Sequence, residues 1–377
     1  MNPPAPGSPS GTSPDGRPHA LLVSGSLGQG HDVMAQACAD TLHEHGWTTS
    51  TVDAMALLGE RAGSAGETVF RRLLDLPGVY DAFHFSALRP GARLALLADA
   101  AARARLLPRL RELLDAQRPR LVVSVFATAT SAVDRLQRER PDLRHVVLCT
   151  DVTPHRLWVQ PRTDLFLVTS EVAACAVRRY RPEARIAVLP APLREEFYRP
   201  PTREKARAEL GVPEDARCVL LMSGSWGLGP LARAAAGLAD AGPHVLAVAG
   251  RNPALEHRLR AAARTRSRLH AFGYTDRIPA LMAAADLVVT SSGDTCSEAR
   301  ALGRRLLLLD VVQGHGRDNL QHELELGHAD VTSARPADVV RGALAALERP
   351  APEPSPGATP HLWRTGLTRA LTDLGLT

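Results

Sequence analysis

The stretch DLVVTSSGDTCSEARALG, residues 286–303, reads as a buried strand, a tight turn and a helix in direct succession, and that order decides the fold class. Leu287, Val288 and Val289 supply the short apolar run. Ser291, Ser292, Gly293 and Asp294 supply the turn. Thr295 and Ser297 then stand where the first N–H groups of a helix lack intrahelical acceptors. Those N–H groups and the helix dipole attract anions, so a diphosphate group can dock at this turn. Glu298 follows one turn in, close enough to accept from the hydroxyls of a ribose lying across the helix tip. An ordinary capped helix of an α/β domain accounts for the same residues, because short patterns of this kind recur by chance.

Outward from this stretch the same alternation recurs on both sides. From His19 onward, ALLVS at 20–24 precedes a helical pattern over about 32–46 and then TTSTVDAM. Further apolar runs are LVVSVF at 121–126, HVVLCT at 145–150, LFLVTS at 165–170 and RIAVLP at 185–190. A second series comprises CVLLMSG at 218–224, HVLAVAG at 244–250, RLHAFG at 268–273, DLVVTS at 286–291 and RLLLLD at 305–310. Continuous apolar runs separated by helical patterns imply parallel sheets covered by helices on both faces, so the fold class is α/β. The proline-rich, charged stretch after Pro190 marks a change of domain. The expected organisation is a disordered tail at 1–18, a first domain at 19–195, a linker at 196–215 and a second domain at 216–348. A flexible run at 349–360 and a terminal helix at 361–377, folded back onto one of the domains, complete it.

At 377 residues, with 45% hydrophobic residues, the chain is long enough for two cores, and it has no unbroken apolar run of membrane-spanning length. Five cysteines, Cys38, Cys149, Cys175, Cys218 and Cys296, are scattered without close pairs, which argues against a disulfide framework and a zinc knuckle. A cytoplasmic location is expected, with peripheral attachment at the inner face of a membrane as an option. The net charge of +5 comes almost wholly from arginine, Lys205 being the sole lysine, and aromatics make up only 4%. Base-stacking material is scarce, so no nucleic-acid partner is expected. A local excess of 11 Arg over 6 Asp plus Glu between Arg61 and Arg120 lies largely in GARLALLADAAARARLLPRLRELL. That amphipathic basic helix is either a solvated face or a contact with an anionic membrane surface.

In open α/β sheets ligands bind beyond the carboxyl ends of the strands, which singles out four loops. The first, Ser24 to His31, carries Gly28 and Gly30, which let a ligand approach the backbone, and His31, placed for proton transfer at a helix start. Its spacing is not that of the dinucleotide fingerprint. The second, Thr150 to Trp158, packs Asp151, His155, Arg156 and Trp158 just past a strand, an uncommon polar density there; the alternative is that Asp151 caps the turn and His155 bonds the backbone. The third, Ser223 to Pro230, presents Gly224, Ser225 and Gly227 with N–H groups that suit phosphate. The fourth joins the opening stretch with Gln313 to Asn319, which can reach sugar hydroxyls.

In combination and order, LLVSGSLGQGH, VVLCTDVTPHRLW, PLREEFYRP, LLMSGSWGLGPL, AGRN, HAFGYTDRIPALMAAADLVVTSSGDTCSEA and QGHGRDN resemble one glycosyltransferase family. It includes monogalactosyldiacylglycerol synthase and, more distantly, the peptidoglycan N-acetylglucosaminyltransferase. The resemblance runs from about Ala20 to Leu347. It implies the GT-B fold, two facing Rossmann-like domains, with a UDP-sugar donor held mainly by the C-terminal domain and the acceptor by the N-terminal one. Under it, Gly273 and Tyr274 lie near uracil, and Arg194 and Ser225 near the nucleotide or its diphosphate. Thr295 lies by the phosphates and Glu298 takes the ribose, with Gly224, Gly227, Gly293, His315 and Asn319 completing the donor set. Gly28, Gly30 and His155 fall on the acceptor side. The implied reaction inverts the anomeric centre with no cofactor and no protein-bound metal. His31 is the first candidate for the base and Asp151 the second, in an orienting role.

The chain also departs from this family. Family members usually carry two glycines before the helix with the ribose glutamate; here the sequence is Ser292-Gly293-Asp294, and a carboxylate beside a diphosphate is repulsive unless it turns outward. The usual Gly-Gln-Glu is Gly314-His315-Gly316, with Asn319 retained, which leaves the donor sugar open because His315 cannot copy a carboxylate. The expected activity is hexosyl transfer to a lipid or secondary-metabolite hydroxyl. A UDP-sugar epimerase and a catalytically lapsed nucleotide-sugar-binding protein are the alternatives.

Overall fold

A computed structural model of the chain describes residues 16–25, 30–58, 93–223, 230–311, 315–327, 329–354 and 360–376. It divides into two units, Met1–Pro192 with His361–Thr377, and Leu193–Pro360. In the first unit the elements are β1 (His19–Ser24), α1 (Gly30–Glu44), β2 (Thr48–Asp53), α2 (Ala54–Leu57), α3 (Arg93–Gln117), β3 (Leu121–Ser124) and α4 (Ala127–Gln137). β4 (Arg144–Leu148), β5 (Leu165–Val168), α5 (Glu171–Tyr180) and β6 (Ile186–Val188) follow. The six strands pair in parallel in the order β2-β1-β3-β4-β5-β6.

Alternate residues of each strand feed opposite faces of this sheet. Leu22, Val123, Val146 and Leu167 pack beneath α1, whereas Leu21, Val23 and Val122 pack with Leu106, Leu110 and Leu114 of α3. That is why the runs read as continuously apolar. The stripe at Leu106, Leu110 and Leu114 is therefore spent on the domain core. Arg109 donates to the Leu57 carbonyl, and Arg111 meets Glu139 at 2.9 Å. Over this half of α3, packing within the unit accounts for the amphipathic pattern, and a membrane surface is not needed to explain it.

The second unit begins with a 3-10 turn (Glu195–Phe197), α6 (Arg203–Leu210), β7 (Cys218–Leu221), α7 (Leu231–Asp240), β8 (His244–Val248), α8 (Pro253–Ala263) and β9 (Leu269–Phe272). It continues through α9 (Ile278–Ala284), β10 (Leu287–Ser291), α10 (Asp294–Ala301), β11 (Arg305–Leu309), α11 (His315–Glu325), β12 (Ala329–Thr332) and α12 (Pro336–Leu347). Its parallel order is β12-β11-β10-β7-β8-β9. The winding reverses between β7 and β10, and in the first unit between β1 and β3; such switch points open a crevice at the strand ends.

Three expectations about organisation change. The stretch 196–215 is not a linker: Thr202 caps α6 by accepting from Lys205 N, Gly211 closes the helix at φ 67°, and Phe197, Ala206, Leu210 and Val212 enter the core of the second unit. Its proline and charge content misled because the apolar residues are spaced singly. Arg194 accordingly belongs to the second unit. The described part of 349–360 is pinned to that unit as well, with Arg349 on Asp330 at 2.6 Å and the Pro350 carbonyl accepting from Arg305 at 3.0 Å. The last helix, α13 (Pro360–Thr372), returns to the first unit, where Trp363, Leu367 and Leu371 join the core beside Leu42 and Leu189. Among the described residues no helix is long and apolar enough to cross a membrane.

Candidate functional site

Two clusters of polar side chains lie at the switch points, one in each unit. In the second unit, Gly293 precedes α10 with an extended backbone, φ 176°, and offers no side chain to cap the helix. Cys296 N turns back to the Gly293 carbonyl at 2.9 Å, so the Asp294 and Thr295 N–H groups lie in the first turn, before the helical bonds begin. Asp294 is exposed and Thr295 is half-buried.

Glu298 is buried on the same helix and is met by Arg194, 104 residues away, whose Nε and Nη2 each lie 3.0 Å from Oε1. The Arg194 guanidinium rests 4.8 Å from the Phe197 ring centroid, which fixes its direction. Burial pushes the Glu298 carboxyl up to about 7, against the pull of Arg194 and with a smaller upward push from Asp294. Desolvation thus outweighs the partner, and the carboxyl can change charge near neutrality. Arg300 pairs with the buried Glu323 and with Ser297 Oγ at 3.0 Å, which ties α11, the helix bearing Asn319, to α10.

At the end of β9, Tyr274 is 53% exposed with the Arg251 guanidinium 4.7 Å from its ring centroid. Gly273 lies against the Glu256 carboxylate: a Cβ there would sit 2.5 Å from Oε2, a contact the flexible Glu256 side chain can relieve by moving. Arg251 and Glu256 were not singled out from the sequence; the signal was their place just past β8 and in the first turn of α8.

In the first unit, His31 lies on the first turn of α1. Its Nε2 is 3.3 Å from Thr150 Oγ1, and its ring stands edge-on to Phe126 with centroids 5.6 Å apart. Gly25 makes this packing possible, since a Cβ there would fall 2.6 Å from the Phe126 ring. Ser24 donates to Asp32 at 2.7 Å across the same turn. Asp151 accepts from Trp158 Nε1 at 2.7 Å and lies 3.6 Å from His155 Nε2, while His155 Nδ1 accepts from Leu157 N at 3.3 Å. Trp158 is almost wholly buried, so it anchors the Asp151 carboxylate. The loop after β4 thus reaches His31 through Thr150. Gly30 opens α1 beside it.

Gly28, Gly224, Ser225 and Gly227 lie outside the described residues, as does the His315 side chain, although His315 opens α11. Among the described residues no three His, Cys, Asp or Glu side chains are grouped to hold a metal.

Two six-stranded parallel sheets with covering helices, and polar clusters at their switch points, define the architecture of the GT-B glycosyltransferases. Residues 94–190 match the family model of monogalactosyldiacylglycerol (MGDG) synthase. Among curated relatives, a probable chloroplastic monogalactosyldiacylglycerol synthase of Glycine max is 26% identical over 239 residues, 59% of this chain and 45% of the relative. The UDP-N-acetylglucosamine–N-acetylmuramyl-(pentapeptide) pyrophosphoryl-undecaprenol N-acetylglucosamine transferase of Mycobacterium bovis is 38% identical over 123 residues, 31% of this chain and 30% of the relative. The chain spans about half the length, or less, of the curated relatives it matches. Among solved structures, the UDP-GlcNAc 2-epimerase of Neisseria meningitidis bound to UDP-GlcNAc is alike at a TM-score of 0.61 and 11% identity, over 94% of this chain and 100% of that one. This last likeness concerns the fold alone.

Proposed function

We propose that the chain is an inverting glycosyltransferase that moves a hexosyl group from a UDP-sugar to a hydroxyl of a lipid or secondary-metabolite acceptor. The observation that carries this reading is the buried Glu298 paired with Arg194, on a helix whose first N–H groups open at the switch point of the second unit. In this reading the diphosphate sits at the start of α10 by Thr295, the ribose hydroxyls donate to Glu298, and the base lies by Gly273 and Tyr274. Asn319 reads the sugar with His315, which stands where the family usually has glutamine, while the usual glutamate is Gly316. The acceptor oxygen bonds to the anomeric carbon as the bond to the UDP oxygen breaks, and His31 takes the acceptor proton, with Asp151 orienting its loop. Glu298 occupies one edge of the Arg194 guanidinium, which has five N–H donors in all. The rest of the guanidinium and the helix N–H groups offset the leaving charge, which removes the need for a metal.

The relatives' names support the substrate classes, a galactosylated diacylglycerol as product in one and a UDP-sugar with a lipid-linked acceptor in the other. The epimerase alternative rests on fold likeness.

The test is a binding titration with UDP, UDP-galactose, UDP-glucose and UDP-N-acetylglucosamine, alongside Glu298→Ala. The expected outcome is UDP binding that weakens in the variant, with one sugar preferred. If none of the four binds, the proposal is wrong.

A further inference from the structure

Past the carboxyl ends of β8 and β9, two side chains of opposite charge lie against the same two residues, Gly273 and Tyr274. Ala249 N bonds the Phe272 carbonyl at 2.9 Å, so the chains leading to Arg251 and to Gly273 leave the sheet side by side. Asn252 then caps α8 by accepting from Leu255 N at 2.9 Å, and Glu256 stands in the first turn of that helix. Because Gly273 has no side chain, the Glu256 carboxylate lies against bare main chain, with Oε2 the nearest atom to where a Cβ would be.

The two oxygens of Glu256 are in different situations. Arg260, one turn further along α8, meets Oε1 with Nε at 2.9 Å and Nη2 at 2.7 Å. Oε2 accepts no hydrogen bond among the described residues, although an ionised carboxylate oxygen has lone pairs for a donor. The side chain is 31% exposed and that of Arg260 63%, so their pair is a surface pair, which contributes little to folding and occupies one oxygen only. Arg251 supplies the opposite chemistry. It is exposed, its guanidinium rests 4.7 Å from the Tyr274 ring centroid and reaches Tyr274 Oη at 3.5 Å, and among the described residues it has no carboxylate partner within 4.0 Å. The ring orients the guanidinium and leaves most of its donors uncommitted.

We infer that Glu256 and Arg251 read the edge of the donor's base and select uracil over cytosine. Glu256 Oε2 accepts from the uracil N3–H, and Arg251 donates to O4. This rests on the nucleotide site proposed above, with the base by Gly273 and Tyr274. Cytosine reverses both groups: its N3 turns a lone pair toward the carboxylate, and its 4-amino group turns donors toward the guanidinium. A site built to hydrogen-bond one pattern rejects the reversed one because its own polar groups are then left unpaired.

The test is calorimetric titration of the whole chain with UDP and with CDP, for the parent, Glu256→Gln, Arg251→Met and Arg260→Met. The parent is expected to bind UDP at least about tenfold more tightly than CDP. Glutamine keeps the shape of the side chain, and its amide can accept from N3–H or donate to a bare N3, so Glu256→Gln should narrow the preference to about threefold or less. Arg251→Met should weaken UDP by about tenfold, the loss of one hydrogen bond from a charged donor. Arg260→Met removes only the partner of Oε1 and should leave the preference within about twofold of the parent's, which a role confined to the surface pair would not predict. Any of four results overturns the inference: a parent that binds UDP and CDP alike, a preference that Glu256→Gln keeps, UDP affinity unchanged in Arg251→Met, or a preference abolished by Arg260→Met. Binding of neither nucleotide would end the proposed nucleotide site and this inference with it, whereas UDP binding with a preference that Glu256→Gln keeps would end this inference alone.

Discussion

Glu298 shows how a single residue can carry a condition on binding. Its carboxyl is raised from the ordinary 4.5 to about 7 because burial outweighs Arg194. Between those values the folded chain holds a proton that the unfolded chain releases, so this group favours folding at low pH, and its contribution is lost as pH rises through about 7. Accepting from ribose hydroxyls favours the ionised form, which is the reverse dependence. UDP is therefore expected to bind up to about tenfold more weakly at pH 6 than at pH 8, one pH unit either side of the pKa. Glu298→Gln should show only the residual dependence of UDP itself, and calorimetric titration of the two proteins side by side checks it. A parent no more pH-dependent than the variant would remove Glu298 from the ribose. Glu298 was legible in the sequence by its place one turn into the helix. Its ion pair was not, because a partner 104 residues away leaves no local pattern.

Among the elements, α13 is the one whose placement the chain order hides. It follows the second unit in sequence and completes the first in space. Leu367 is fully buried, Trp363 Nε1 reaches the Ala37 carbonyl at 3.4 Å, and Arg364 meets Glu44 at 3.1 Å. Leu367→Ala is expected to destabilise the first unit by about 2–5 kcal/mol through lost burial and the cavity left behind. Denaturant unfolding measures the loss, and a change below about 0.5 kcal/mol would show that the helix is not packed as described. β12 was missed for a different reason: it is four residues long, at the sheet edge, with the exposed Val331 between polar neighbours, so neither an apolar run nor full alternation marks it.

For the whole molecule, the proposed base and the proposed nucleotide site belong to different units, His31 to the first and Glu298 to the second. Their defects should therefore separate. His31→Ala is expected to lower turnover by at least about a hundredfold, the contribution of a general base, while leaving UDP affinity within about twofold. Steady-state rates and a UDP titration on the same preparation check both halves. Turnover close to the parent's would remove His31 as the base. The two sheets also wind differently, with the first reversing between β1 and β3 and the second between β7 and β10. Strand order cannot be read from a list of apolar runs, because each run pairs equally well with several others until the helices are packed.

The sequence by itself determined the α/β class, the strands that form the body of both sheets and the loops that end at their carboxyl edges. All of these follow from local periodicity and local turn chemistry. Only the tertiary structure decided that 196–215 is core and that the last helix belongs to the first unit. It alone also showed that Arg194 is the partner of Glu298 and that burial raises the Glu298 carboxyl against the pull of that partner. Burial and pairing depend on what long-range folding brings alongside a residue, and a charge reports its cost only once water has been taken away.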